Sequence, residues 1–265
     1  MFLKTKTSQI KQSCGEDEVQ GDIDRFNAKI GDWEGFDCER CKNKGSIAVK
    51  DKNGRMAIEP CACRKIRTAK RLIRESGIKN EYLFTDFKAE CDYQKGMLLK
   101  AKKFVSDPAG KWFYMSGQNG IGKTMLCTAI VNELLEKYVP CKYMLWRDVS
   151  LRLKALANNA EEYLTIIKPL KEIEVLYIDD FFKTEQNKEP TPADVNLAFE
   201  LLNYRYNTKS LVTIISCERS LTEVVNIDEA VGSRIYERVG EFNIYVPKDR
   251  KKNYRLKGGF KNESI

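Results

Sequence analysis

The chain has 265 residues, 42% of them hydrophobic, with 46 Lys and Arg against 38 Asp and Glu, a net charge of +8, and no histidine. That length accommodates one full α/β domain and a smaller unit, and the missing histidine excludes His-activated nucleophiles and every His-containing metal site. No apolar run reaches transmembrane length and Met1-Phe2-Leu3-Lys4-Thr5-Lys6 lacks a signal-peptide stretch, so a soluble cytoplasmic protein with no membrane partner is expected.

The first 35 residues show little pattern beyond short helices. Four of the nine cysteines then fall in two pairs, Cys38/Cys41 as C-x₂-C and Cys61/Cys63 as C-x-C, separated by 19 residues. That is the spacing of a four-thiolate zinc site. Between the pairs, Ser46–Val49 and Met56–Ile58 flank Asp51-Lys52-Asn53-Gly54, a hairpin signal that would bring the cysteines together. Four protein ligands leave no open position, so the zinc would be structural. Cys14, Cys91, Cys127, Cys141 and Cys217 show no such pairing and read as buried or inert. Residues Arg64 to Arg74 carry six bases and no acid, a basic connector helix for which phosphate binding and a solvated face both stay open.

Gly117-Gln118-Asn119-Gly120-Ile121-Gly122-Lys123-Thr124 spells G-x-x-x-x-G-K-[ST], the phosphate-binding loop. Its glycines let backbone N–H groups turn inward around a β-phosphate, Lys123 adds a charge for the β/γ oxygens, and Thr124 offers its hydroxyl to Mg²⁺. The setting fits: Lys111–Ser116 reads as a buried strand, and Met125, Leu126, Ala129, Ile130 and Leu134 recur at helical spacing. A nucleoside triphosphate with Mg²⁺ is therefore the expected ligand. Residues 140–146 read as a strand and Val149 to Ala157 as a helix. The apolar run Ile173–Ile178 ends in Asp179 and Asp180, the first expected at Mg²⁺ and the second at the attacking water. Thr191-Pro192-Ala193-Asp194 and Ser220-Leu221-Thr222-Glu223 are capping boxes. Strands at 211–216 and 242–246 complete five that alternate with helices, the pattern of a parallel sheet covered on both faces.

With these motifs, the strand end Ile178-Asp179-Asp180-Phe181-Phe182, the helix end Leu202-Asn203-Tyr204-Arg205-Tyr206, Gly232-Ser233-Arg234-Ile235 and Asn253-Tyr254-Arg255-Leu256, the chain resembles the AAA+ ATPases of the DnaC/DnaI/IstB group over Asn80 to Leu256. Within that group it resembles the phage-type replicative helicase loaders. The resemblance implies a P-loop NTPase AAA+ core with a five-stranded parallel sheet in the order 5-1-4-3-2 and a minimal lid. It assigns Arg234 as an arginine finger reaching the next subunit's γ-phosphate and Arg255 as a sensor in its own subunit; a solvated face is the alternative for Arg234. It makes residues 1–76 a zinc-binding, helicase-interaction module and residues 77–265 the ATPase domain. The implied partners are a replicative DNA helicase, single-stranded DNA and further copies of the chain. Two positions depart from the family pattern: Asp180 where many AAA+ proteins place glutamate, and Glu218 where a polar amide sensor usually stands. A transposition helper ATPase and a nucleotide-binding adaptor with little hydrolysis are the rival readings.

Overall fold

The computed structural model describes residues 6–34, 37–80, 82–184 and 188–256, with side chains described from residue 17 to residue 255. The chain divides into two compact units, Met1–Arg71 and Leu72–Ile265. The division falls within the basic helix rather than at its carboxyl end near residue 76.

The first unit begins with helix α1 (Lys6–Ala28), one continuous element where the sequence reads as short helices. Asn27 ties its end to the following hairpin, since its amide donates to the Ala48 carbonyl and accepts from the Ala48 N–H, both at 2.9 Å. Among the described side chains of this helix, Ile23 is buried. Strands β1 (Ser46–Lys50) and β2 (Met56–Pro60) pair antiparallel in register from Ser46↔Pro60 to Lys50↔Met56. The turn occupies residues 51–55, with Gly54 at φ +75° and the Asp51 carboxylate accepting from the N–H groups of Asn53 and Arg55 at 2.8 Å. Helix α2 (Cys63–Ser76) follows at once.

The second unit is a three-layer α/β domain. Its elements run α3 (Asp92–Ser106), β3 (Trp112–Gly117), α4 (Lys123–Glu136), β4 (Cys141–Leu145), α5 (Trp146–Ala155), α6 (Ala160–Glu172), β5 (Val175–Phe181), α7 (Pro192–Asn207), β6 (Val212–Cys217), α8 (Leu221–Ile227), α9 (Glu229–Val239) and β7 (Asn243–Val246). The sheet order is β4-β5-β6-β3-β7, every pairing parallel. Numbered one to five in chain order, the strands read 5-1-4-3-2. β3 is central and shows why: Phe113 and Met115 enter the core under α3 and α4, while Trp112 and Tyr114 enter the core under α5 to α9, all fully buried. Successive side chains of a strand point to opposite faces, so a strand apolar at every position must be covered on both. The Thr191/Asp194 and Ser220/Glu223 capping boxes form as the sequence indicates. After β7 the described residues contain only short 3₁₀ turns at Arg250–Lys252 and Tyr254–Leu256.

One polar group inside this core is a structural bolt. Arg205, fully buried on α7, donates from Nε to Thr213 Oγ1 at 3.0 Å. Its Nη1 donates to the carbonyls of Leu170, Lys171 and Ile173 at 3.1, 3.0 and 2.8 Å, and its Nη2 donates to that of Val212 at 2.6 Å. It thereby satisfies the carbonyls left over at the end of α6. Burial lowers its pKa to about 9, still charged at neutral pH. Arg205→Met strands several buried acceptors, each costing about 1–3 kcal/mol. We expect a loss of about 3 kcal/mol or more, read as a lower urea midpoint with an unchanged slope.

Candidate nucleotide site and thiolate cluster

The loop from Gly117 to Gly122 links the carboxyl end of β3 to the amino end of α4. The amino end of a helix offers unpaired N–H groups and a positive dipole end to an anion. Gly122 cannot be replaced cheaply: its φ is +92°, and an added Cβ would lie 2.8 Å from the Phe87 ring. Ile121 is buried in the core and fixes the loop from beneath. Lys123 is also nearly buried, and its ammonium donates to the carbonyls of Gly117 at 2.8 Å and Gln118 at 2.9 Å. Burial lowers its pKa, opposed first by the charge of Asp180.

The loop is strapped from outside by residues 249–254. The Gln118 amide donates to the Asp249 carbonyl at 2.6 Å and accepts from the Asp249 N–H at 2.7 Å. The Tyr254 N–H donates to the Gly120 carbonyl at 2.9 Å. Asn119 lines the cavity described below.

Asp179 lies at the carboxyl end of β5, two strands from the loop, and is 4% exposed. Thr124 Oγ1 donates to its Oδ1 at 3.2 Å and the Tyr143 hydroxyl donates to its Oδ2 at 3.2 Å. The Ser216 hydroxyl, from β6, donates to Asp179 as well. Asp180 occupies a bulge, because pairing with β6 skips from Ile178↔Ile215 to Phe181↔Cys217. Its φ is +51° and that of Phe182 is +54°, values a side-chain-bearing residue adopts only under constraint. The constraint is aromatic: Phe181 stacks on Phe182 at 4.1 Å, and Trp146 meets both edge-on at 4.9 and 5.5 Å. The Asp180 N–H donates to Asp179 Oδ1 and to Ser216 Oγ, each at 3.1 Å. The bulge thus separates two consecutive acids, one tied into the sheet and one turned toward the loop. Burial and the neighbouring Asp179 charge raise the Asp180 pKa, against Lys183, Lys123 and Arg255.

A cavity of about 560 Å³ lies over the loop, lined by Asn119 to Met125 and by Asp180, Tyr82, Phe87, Tyr254 and Arg255 among others. It collects Lys123, Thr124, Asp180 and Arg255 in one place. Arg234 is not among its lining residues. That guanidinium, on α9, donates from Nε to Asn203 Oδ1 at 3.0 Å and from Nη1 to the Ala230 carbonyl at 2.7 Å. It rests over the rings of Phe199 at 5.0 Å and Tyr206 at 5.5 Å. Glu218 pairs with Lys183 and lines a separate hollow beside Gly117 to Asn119. Sequence reasoning looked for a sensor at Glu218 and passed over Ser216, whose hydroxyl reaches Asp179. A serine closing the run Val212–Ile215, which is apolar but for Thr213, was the available signal. Tyr143 was missed for the same reason: its role depends on the register Leu145↔Asp179 between β4 and β5.

In the first unit, Cys38, Cys41, Cys61 and Cys63 converge with all four Sγ atoms within 4.8 Å of one another. The Cys38–Cys61 and Cys41–Cys63 sulfur separations are 3.8 and 3.4 Å. Tetrahedral zinc with bonds of about 2.3 Å requires sulfurs about 3.8 Å apart, so the donor set and spacing suit it. The Gly45 N–H donates to Cys41 Sγ at 3.3 Å, and Arg67 also contributes to the cluster through Cys63. At Cys41 burial opposes ionisation, but hydrogen bonds from Cys63 and the Gly45 N–H outweigh it and bring the thiol to about 6. Burial and hydrogen bonds to Cys41 and Cys61 push Cys63 up to about 12. Elsewhere Cys127, Cys141 and Cys217 are buried, Cys91 is exposed, and the Cys14 side chain lies outside the described residues.

Sheet order, phosphate-binding loop and acid-tipped β5 define a P-loop protein of the AAA+ fold. Residues 41–259 match the family described as IstB-like ATP binding protein, and the chain belongs to it. It is similar to the phage-like element PBSX protein XkdC of Bacillus subtilis strain 168, 33% identical over 239 residues, spanning 84% of this chain and 87% of that one. It is also similar to the replicative helicase loader DnaC of Escherichia coli strain K12, 27% identical over 124 residues. That match spans 44% of this chain and about half, 51%, of the relative. The crystal structure of the DnaC helicase loader superposes with a TM-score of 0.53 at 21% identity, covering 63% of this chain and 97% of that one, which places the fold. Among the described residues no helix is long and apolar enough to cross a membrane.

Proposed function

We propose that the protein is an ATPase that loads a replicative DNA helicase onto single-stranded DNA, using ATP binding and hydrolysis as the switch. The observation that carries the reading is the split of the catalytic cations. Lys123 and Arg255 line the nucleotide cavity, whereas Arg234 is presented elsewhere, on α9 between Phe199 and Tyr206. A preorganised arginine outside its own cavity suits a site completed by the next copy of the chain. XkdC as a phage-element protein and DnaC as a named helicase loader support the choice of partner.

In this reading the loop N–H groups and Lys123 hold the β- and γ-phosphates, and Thr124 and Asp179 hold Mg²⁺. That ion supplies neutralisation of phosphate charge. Asp180 orients a water in line with the γ-phosphorus and takes its proton as the water oxygen bonds to phosphorus. The bond to the β-bridging oxygen breaks, leaving ADP and phosphate. The raised pKa of Asp180 makes it a better proton acceptor than an ordinary surface carboxylate. Arg234 of a neighbouring copy and Arg255 of the same copy neutralise the developing charge. Nucleotide state then sets affinity for the helicase and the strand, so modest turnover suffices. The four-cysteine unit binds zinc and holds the helicase.

The expected result for Arg234→Ala is at least a hundredfold loss of ATP turnover with nucleotide affinity within about threefold of wild type. When mixed into wild-type protein, the variant lowers the rate more than dilution alone does. Rates that simply add on mixing would sink the shared site. Co-purification of the cognate replicative helicase with the full chain tests the partner, and its absence in every nucleotide state would sink helicase loading.

A further inference from the structure

A second concave site lies in the first unit, apart from the thiolates and not used by the reading above. It is a hollow of about 480 Å³ lined by Trp33, Glu34, Arg64, Arg67, Thr68 and Arg71. Arg64, Arg67 and Arg71 sit at i, i+3 and i+7 of α2, so they share one helix face over about 10 Å of its length. The contacts of Arg64 and Arg67 fix their guanidinium groups beside Trp33. The Arg64 guanidinium lies 5.3 Å from the centre of the Trp33 ring and its Nε donates to the Gly45 carbonyl at 2.7 Å. The Arg67 guanidinium lies 5.5 Å from the same ring and its Nη2 donates to Asn43 Oδ1 at 2.9 Å. Trp33 is itself seated: Gly45 has φ +71°, and a Cβ there would lie 2.3 Å from the ring. The ring stays 39% exposed.

We propose that this hollow binds the sugar-phosphate backbone of single-stranded nucleic acid. Clustered guanidinium charge that attracts phosphate and a part-exposed aromatic ring are the features that a single strand uses. A protein-binding core gathers several apolar side chains and few charges, whereas this lining sets three arginines and a glutamate around one apolar residue, Trp33. Fixing Arg64 and Arg67 beforehand reduces the ordering cost of binding. That the strand is DNA rests on the helicase-loading reading; the polyanion chemistry of the hollow does not.

The test uses intrinsic fluorescence of the full-length, zinc-replete chain. Of its three tryptophans Trp112 and Trp146 are buried, so Trp33 reports on the solvent-exposed site. Titration with a thymidine oligonucleotide is expected to quench Trp33 emission, with affinity falling as salt rises. Arg71→Gln changes an exposed residue eight positions beyond Cys63 on α2 and is the first variant; Arg64→Gln is the second. Each is expected to weaken binding five- to tenfold and reduce the salt slope by about one, with zinc content and melting temperature unchanged. Affinities within twofold of wild type for both variants, binding seen by anisotropy without any Trp33 response, or equal affinity for duplex would each overturn the proposal. So would a loss of helicase capture by Arg71→Gln with oligonucleotide affinity intact, which would make the hollow a protein contact. Helicase loading fails separately: intact oligonucleotide binding that depends on these arginines, with no helicase captured, removes the loader and leaves the site.

Discussion

Lys123→Ala is expected to reduce ATP turnover by about 10²–10³-fold while leaving the melting temperature close to that of wild type. The two halves of this result have different physical origins. Lys123 is nearly buried, and its charge is stabilised by hydrogen bonds to the carbonyls of Gly117 and Gln118 and by the charge of Asp180, with no carboxylate bonded to it directly among the described residues. Burial already disfavours the charge. Removing the side chain therefore relieves a desolvation penalty at the same time as it deletes two hydrogen bonds and an attraction to Asp180, which keeps Lys183 and Arg255 as neighbouring cations. For the phosphates the balance is different. A cation placed beforehand in a partly buried site interacts with the β/γ oxygens more strongly than it would in water, and no other residue of the loop carries a charge. Phosphate release and calorimetric nucleotide binding measure the two effects; turnover within threefold of wild type would refute the assignment of Lys123.

The parts of this site that local sequence could specify are those in which one short segment supplies the whole geometry. Gly117 to Thr124 is such a segment, and the capping boxes at Thr191 and Ser220 are others, because each closes its own hydrogen bonds within four residues. Asp179 was legible as the polar end of an apolar strand. Its surroundings were not, because Tyr143, Ser216 and Thr124 come from three other elements, and only strand register brings their hydroxyls to one carboxylate. The bulge at Asp180 was illegible for a related reason: it is packed by Trp146 from α5, which meets Phe181 and Phe182 edge-on. Helix α6 escaped detection beside Pro169, which ordinarily argues against a helix; it lies in the last turn and α7 covers the helix. Helix α1 was obscured by Gly15 and Gly21 and by the scarcity of apolar positions, its order coming from Ile23 and Asn27 against the hairpin.

Replacing Cys38 and Cys61 together by serine is expected to abolish zinc binding and unfold the first unit while sparing the second. The thiolate unit has little else to hold it. Its buried apolar residues, among those described, are Ile23, Ile47, Ala48, Cys41, Cys61 and Cys63, so the ligands themselves make up half of the core. Domains this small seldom reach stability on apolar burial alone, and a structural zinc contributes on the order of 10 kcal/mol in comparable modules. Serine hydroxyls are poor zinc ligands at neutral pH, and two of four donors cannot close a tetrahedral shell. The cores of the second unit contain none of these four cysteines and keep both faces of the β4-β5-β6-β3-β7 sheet covered. Metal analysis of fresh wild-type protein is expected to give about one zinc per chain, and limited proteolysis of the double variant to clear the first unit and leave the second resistant. In helicase capture the variant is expected to fail even while nucleotide binding persists, which separates gripping from switching. Less than half an equivalent of zinc in wild type, or full metal retention in the double variant, would remove the structural metal from this account.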